Sequence, residues 1–268
     1  MNQLKKSYQN HIMDVAENAA KKAAEIILTA LKTPRVADFK GKTDLVTKAD
    51  RDADHIIREH IEAEFPEHGI LAEESGSTLP HAGFQWIIDP LDGTTNFVHG
   101  FPSFAVSIAL HYKNEPIVGC IIELPVNNIY TAIKDQGAFC NGEKISVSKT
   151  DDLSQSLLVT GFGYEHGEVW ERNMKLFKHF TDITQGVRRL GAAAVDLCHV
   201  ASGKVDSFWE FDLHPWDSAA GILIVTEAGG SVSKMDGSDY DINDKEILVS
   251  NSFIHKEMSI IITEFDNT

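Results

Sequence analysis

Residues 86–100 read WIIDPLDGTTNFVHG: an apolar run ends in Asp89, and a second carboxylate, Asp92, follows three positions later. Pro90 lies between them, donates no ladder hydrogen bond and turns the chain. On this reading the strand stops at Asp89, and Asp92 swings back beside it. Two carboxylates held together repel, so one keeps its proton unless a cation lies between them. No Lys or Arg occurs between residues 51 and 112 except Arg58, so no local side chain is an evident partner. Hard oxygen ligands in a turn suit Mg2+, with positions left for water and a substrate phosphate. Gly93 permits close backbone approach, and Thr94-Thr95 open a short helix whose first N–H groups suit an anion. A plain Asp-Gly turn with solvated carboxylates is the competing interpretation of the same residues.

Two more acidic places could join them. In LAEESG, Glu73 and Glu74 follow the apolar pair Ile70-Leu71; alone, such a pair reads as a solvated loop. In HPWDSAAGILIVTEAGG, Pro215 suits a first helical turn, and Asp217 faces the positive end of that helix. As a helix-start residue Asp217 needs no further role.

The elements that must carry these residues follow from periodicity. Ile12, Val15, Ala19, Ala23, Ile26, Ile27 and Leu31 form a helical stripe over residues 8–31. A second helix begins near Thr47, with Thr47 and Asp50 as a capping box, Ala53, Ile57, Ile61 and Phe65 as its buried face, and Pro66 as its end. GFQWIID, SFAVSIALHYK, EPIVGCIIEL, NIYTAI and KISVS then predict a meander of antiparallel strands. From about residue 150, strands SLLVTGF, VRRL, VDSFWEF, SVSK and EILVSN alternate with helices around 168–180, from 192 and from 215. Val169, Leu176 and Phe180 read as the core face of the first of these. Alternation of this kind predicts a largely parallel α/β half. The fold class expected is α/β, as a layered sandwich, with an N-terminal half at 1–149 and a C-terminal half at 150–268. The site lies at their junction.

Bulk properties narrow the function. The 268 residues carry a formal net charge of −16, which leaves no basic field for general nucleic-acid or anionic-membrane binding. An anionic substrate must therefore be held by local positive charge. Cys120, Cys140 and Cys198 form no CxxC pair and read as reduced thiols, and no stretch has the length of a membrane span. The N-terminus shows no signal core, so a cytoplasmic location is expected. The 12 histidines lack ligand spacing such as HExxH and read as structural or surface groups, among them His99, His111, His199 and His214.

Together, Glu73-Glu74-Ser75, Asp89-Pro90-Leu91-Asp92-Gly93-Thr94-Thr95-Asn96 and Trp216-Asp217-Ser218-Ala219-Ala220-Gly221 resemble the inositol monophosphatase family. The similarity runs from Asp44-Leu45-Val46-Thr47 to Glu227-Ala228-Gly229-Gly230, and the order and spacing of the motifs make it specific. The resemblance implies an αβαβα order of layers. It implies that Glu73, Asp89 and the Leu91 carbonyl hold one Mg2+, and that Asp89, Asp92 and Asp217 hold a second, with a third near Glu73. Thr94, supported by Asp50, is similar to the pair that with Glu73 orients and deprotonates the attacking water. Gly93 and Thr94 N–H groups would grip phosphate, with Asp92 and Asp217 also facing substrate. Gly191, Ala192 and Ala193 match a segment that contacts the sugar-like ring, and Glu210 matches an acid that binds ring hydroxyls. Ala192 stands where many members carry a hydroxyl, which removes one hydrogen bond to substrate. Lys40, Lys42 and Lys48 have no family match.

The expected activity is Mg2+-dependent hydrolysis of a small phosphorylated polyol, inositol monophosphate first. Fructose 1,6-bisphosphate, histidinol phosphate and 3'-phosphoadenosine 5'-phosphate are the alternatives within the superfamily. A regulatory binding protein on the same scaffold is the alternative from another class. Lithium inhibition and a homodimer are implied by the resemblance alone.

Overall fold

The alanine-rich stripe folds as α1 (Lys6–Ala30), with Ile12, Ala16, Ala19, Ala23 and Ile27 fully buried. The structure, a computed structural model, describes residues 5–39, 45–78, 83–163 and 166–266; Lys40, Lys42 and Asp44 lie outside them. A ribbon of β1 (Ala37–Phe39) antiparallel to β2 (Leu45–Thr47) leads into α2 (Lys48–Glu64). The capping box forms as read: Thr47 Oγ1 accepts from Ala49 N–H at 3.1 Å, and Asp50 Oδ2 accepts from Thr47 N–H at 2.8 Å. Lys48, unassigned from sequence, pairs with Asp52 on the surface. Small alanines on α1 let α2 lie alongside it, and both helices cover one face of a large sheet.

That sheet contains β3 (Gly69–Ala72), β4 (Gly76–Ser77), β5 (Phe84–Asp92) and, after the short helix α3 (Thr94–His99), β6 (Phe104–Tyr112). It continues through β7 (Glu115–Leu124), β8 (Asn128–Ile133), β9 (Gly137–Cys140) and β10 (Glu143–Lys144), in the order β10-β9-β8-β7-β6-β5-β3-β4. The antiparallel meander holds from β5 to β10, but β3 runs parallel to β5. Of KISVS only Lys144 is strand; beyond it, Val147 N–H donates to Ala228 O instead of to a ladder.

The C-terminal half runs β11 (Leu157–Thr160), α4 (Glu168–Ile183), β12 (Gly186–Arg188), α5 (Ala193–Ala201), β13 (Ser207–Phe211), α6 (Pro215–Glu227), β14 (Ser231–Ser233), β15 (Glu246–Ser250) and α7 (His255–Asp266). Its sheet, β12-β11-β13-β15-β14, is parallel only where helices α4 and α5 make the crossovers. β15 is antiparallel to both neighbours, so the largely parallel sheet expected from alternation is half antiparallel. Helix α7 was absent from the sequence reading, although its Met258 and Ile262 are fully buried. Leu176 and Phe180 are core as expected, whereas Val169, in the first turn of α4, is 40% exposed; the buried residues of that helix begin at Asn173.

Helices α5 and α6 lie between the two sheets, and α4 and α7 cover the outer face of the second. The order is αβαβα, as expected. Among the described residues no helix is long and apolar enough to cross a membrane.

Candidate active site

Strand β5 does not stop at Asp89. It continues through Pro90 to Asp92, pairing Asp89 with Ser107 and Asp92 with Ala105. Three steps on β5 thus oppose two on β6, which is a bulge. In a regular strand, side chains three apart point to opposite faces. The extra residue brings Asp89 and Asp92 to the same side. Asp89 also shapes the turn, because its Oδ1 accepts from Leu91 N–H at 3.0 Å.

The neighbouring parallel strand delivers Glu73. Ala72 pairs with Ile88, and Glu73 N–H donates to Ile88 O at 3.2 Å, so Glu73 emerges beside Asp89. Its side chain hydrogen-bonds with that of Asp89. Asp217 arrives from the first turn of α6, where its Oδ2 accepts from His214 N–H at 2.6 Å. Asp89 is 2% and Asp92 9% exposed, while Glu73 and Asp217 are partly buried.

Electrostatics tie the four together. Desolvation pushes the Asp89 carboxyl well up, and the charges of Glu73, Asp92 and Asp217 add to it. Burial likewise raises Asp217, with Asp92 and Glu73 contributing and the His214 N–H opposing. Asp92 is pushed up to about 7, chiefly by desolvation, although N–H groups of α5 favour its charged form. Such mutual repulsion is what a counter-cation would relieve.

A second constellation stands next to the first. Thr94 Oγ1 donates to Asp50 Oδ1 at 2.8 Å, and it lies 3.1 Å from Leu91 O. Asp50, from α2, is 1% exposed and held on its other oxygen by Thr47. The hydroxyl is therefore oriented by a fixed acceptor. Gly93 caps α3 with φ of 83°, and a Cβ there would fall 3.0 Å from Ser103 O and 3.1 Å from the Ala192 methyl. Only glycine suits both the left-handed backbone and that contact. Asn96 Nδ2 donates to Ser103 O and Leu190 O at 2.6 and 2.7 Å, which fastens this turn to the 190–191 loop.

Gly191 and Ala192 thus lie against Gly93, and Ala193 follows as the first residue of α5. Glu210 is on β13 and partly buried; a Cβ on Gly161 would come within 2.1 Å of its Oε1. Burial holds the Glu210 carboxyl well up, followed by repulsion from Asp217, with Arg189 opposing. Glu210 therefore shares one field with the acidic group rather than standing in solvent at a strand edge. Two neighbours escaped the sequence reading. Asp196, fully buried on α5, has no hydrogen-bond partner for either oxygen among the described residues, and Arg189 attracts it and Glu210. An Asp in a helix's first turn looks like ordinary dipole chemistry, and Arg189, expected within the strand VRRL, lies just past β12, which ends at Arg188, so a strand pattern gave it no role.

The donors present are all hard oxygens, from carboxylates and the Leu91 carbonyl, which is the chemistry Mg2+ takes. The raised, mutually repelling acids fit a divalent cation in charge. Among the described residues, no three His, Cys, Asp or Glu side chains already form a closed chelating group; the Glu73–Asp89 hydrogen bond stands where opposed anions would separate around an ion.

The profile of the inositol monophosphatase family matches residues 9–267. A chloroplastic phosphatase, IMPL1, of Arabidopsis thaliana is 49% identical over 92% of this chain and 69% of its own. The inositol-1-monophosphatase of a Synechocystis strain is 45% identical, covering 92% of this chain and 87% of its own. Among solved structures, the extragenic suppressor protein suhB of Bartonella henselae superposes with a TM-score of 0.91, at 35% identity over 95% of this chain and 99% of that one. The bulge that pairs Asp89 with Asp92 and the hydroxyl held by Asp50 are therefore features of a chain that belongs to the inositol monophosphatase family.

Proposed function

We propose that the protein hydrolyses a small polyol phosphate, with inositol monophosphate the leading substrate and Mg2+ the cofactor. The chain is a phosphoric monoester hydrolase of its family. The observation that carries the finer reading is the common field of Glu73, Asp89, Asp92 and Asp217, acids from three segments whose burial and mutual repulsion raise the carboxyls of Asp89, Asp92 and Asp217.

Glu73, Asp89 and the Leu91 carbonyl would hold one ion, and Asp89, Asp92 and Asp217 a second, with a third near Glu73. Bound Mg2+ supplies charge neutralisation at the phosphoryl group and lowers the pKa of water. Thr94 Oγ1, fixed by Asp50, is placed to accept a proton from the attacking water as it passes its own to Asp50, with Glu73 orienting that water. Backbone N–H groups at Gly93 and Thr94 bind phosphate oxygens. Phosphoryl transfer depends on such positioning and charge stabilisation more than on covalent help from the protein. Glu210 accepts from substrate hydroxyls, and Gly191, Ala192 and Ala193 line the ring's seat.

The same reading divides the labour between residues 1–149, which carry most acids, and 150–268, which carry Asp217 and the ring contacts. It includes lithium inhibition, a homodimer and a cytoplasmic location. Buried thiols at Cys120 and Cys198, and a partly buried one at Cys140, are consistent with a reducing compartment. The complete acid set speaks against a scaffold that only binds.

A phosphate-release panel tests the proposal. Inositol 1-phosphate, fructose 1,6-bisphosphate, histidinol phosphate and 3'-phosphoadenosine 5'-phosphate are each assayed with and without Mg2+, and with added Li+. Fastest Mg2+-dependent turnover of inositol 1-phosphate is expected; preference for another ester would reassign the substrate, and turnover in chelator would remove the metal.

A further inference from the structure

A cavity of about 850 Å3 lies outside the acidic site, between the end of α1, the segment after it, the first turns of α2, and Phe97 of α3. Its wall is apolar, with Ile26, Ile56 and Phe97 facing it. Its charged lining is unevenly paired. Lys48 is taken by Asp52, Lys22 Nζ is 3.2 Å from His60 Nδ1, and Glu25 is exposed at the rim. Arg35 differs. It is partly buried, and among the described residues no carboxylate pairs with it. Its Nε is buried without a hydrogen-bond partner, and Nη1 makes only a 3.4 Å contact with Leu31 O.

A buried guanidinium N–H without a partner is costly, and in a native fold it calls for an acceptor. The surrounding chain has 40 acids against 24 bases, yet none of the described acids meets this cation. Beside it, Val36 is 79% exposed, a large apolar side chain at the mouth of the cavity. An apolar chamber with one under-satisfied cation suits a ligand that is apolar over most of its body and anionic at one end.

We propose that this cavity binds a small amphipathic organic anion, an aryl or short alkyl carboxylate, sulfonate or phosphate, at a place separate from the acidic site. The anionic end meets Arg35, and the body lies on Ile26, Ile56 and Phe97. Thr47 also lines the cavity, and Thr47 is the residue that holds Asp50, the partner of Thr94. Occupancy thus acts on the support of the Thr94 hydroxyl from outside the site, and it changes kcat more than KM; this last consequence rests on the proposed activity.

The test uses the full chain with Mg2+ and the probe 8-anilinonaphthalene-1-sulfonate, followed by fluorescence and calorimetry. One saturable site per chain is expected, undisturbed by inorganic phosphate. Arg35→Gln should weaken it about tenfold, the scale of a lost charge-assisted hydrogen bond. Val36→Asp, at a position 79% exposed where the fold has little to lose, sets a repelling charge at the mouth and should weaken it as well. Absence of saturable binding, displacement by phosphate, or wild-type affinity in both variants overturns the site. Binding with kcat unchanged at saturation overturns only the link to Thr94. Binding is read without substrate, so a failure of the proposed hydrolysis leaves the first readout intact.

Discussion

The backbone N–H of Ala194 donates to Asp92 Oδ2 at 2.7 Å, across 102 residues of chain. Helix α5 begins after Ala192, which offers no side-chain oxygen to its first N–H groups. An acid of the N-terminal half therefore caps a helix of the C-terminal half. The same contact favours ionised Asp92 and fixes the angle at which α5 meets the acidic turn.

Asp92→Asn separates these roles. The amide oxygen still accepts from Ala194, so α5 stays capped, while the charge is gone. Turnover should fall about 100-fold or more, given the several kcal/mol that metal-assisted charge stabilisation supplies. The thermal midpoint should stay close to wild type. Asp92→Ala should in addition lose stability of about 1 kcal/mol, as for other lost caps. Near wild-type turnover of the Asn variant at limiting Mg2+ would remove Asp92 from the ligand set.

Thr94→Val deletes the hydroxyl that Asp50 holds and leaves Asp50 Oδ1 without its donor. A fall in kcat of about 100-fold is expected, the lower end for general acid–base groups. Thr94→Ser keeps the hydroxyl and should recover most of it. Equal losses in the two variants would indicate packing, not proton handling.

Gly161→Ala probes Glu210 without touching it. The new methyl would collide with Oε1, so the carboxylate must move. KM for a polyol phosphate should rise about tenfold, on the scale of one displaced hydrogen bond. Hydrolysis of p-nitrophenyl phosphate, which has no ring hydroxyls, should be unchanged. Parallel effects on both substrates would separate Glu210 from ring recognition.

Glu123 offers a pH test away from the site. Burial raises its pKa, but His199, Asn128 and Lys204 outweigh that and hold it at about 2, against an ordinary 4.5. His199 Nε2 lies 3.1 Å from Oε1. A carboxylate depressed in the folded state stabilises fully above the unfolded value and loses this as pH falls toward the folded one. Glu123→Gln should cost on the order of 2 kcal/mol near neutrality and almost nothing near pH 2. Urea unfolding at the two pH values measures it; an equal deficit at both would show that packing is responsible.

Much of this could be read in one dimension. The Thr47–Asp50 cap, the buried stripe of α1 and the Pro215 helix start each depend on residues within a turn of one another, where local sterics and hydrogen bonds suffice. The acidic segments were visible as strings, but Glu73 and Asp217, taken alone, read as a solvated loop and a helix start, and only the family resemblance joined them to Asp89 and Asp92. Val169 and α7 were not: amphipathic spacing says which residues share a face, but not whether another layer covers that face.

Convergence is another matter. Nothing in WIIDPLDG reveals that β5 runs on through Pro90 with one extra residue, since a bulge exists only against the paired β6. Likewise the parallel partnership that sets Glu73 beside Asp89, the reach of Asp92 to α5 and the burial of Asp196 all join segments far apart in the chain. Desolvation and charge–charge repulsion scale with distance in space, so the raised carboxyls came into being only when packing closed that distance.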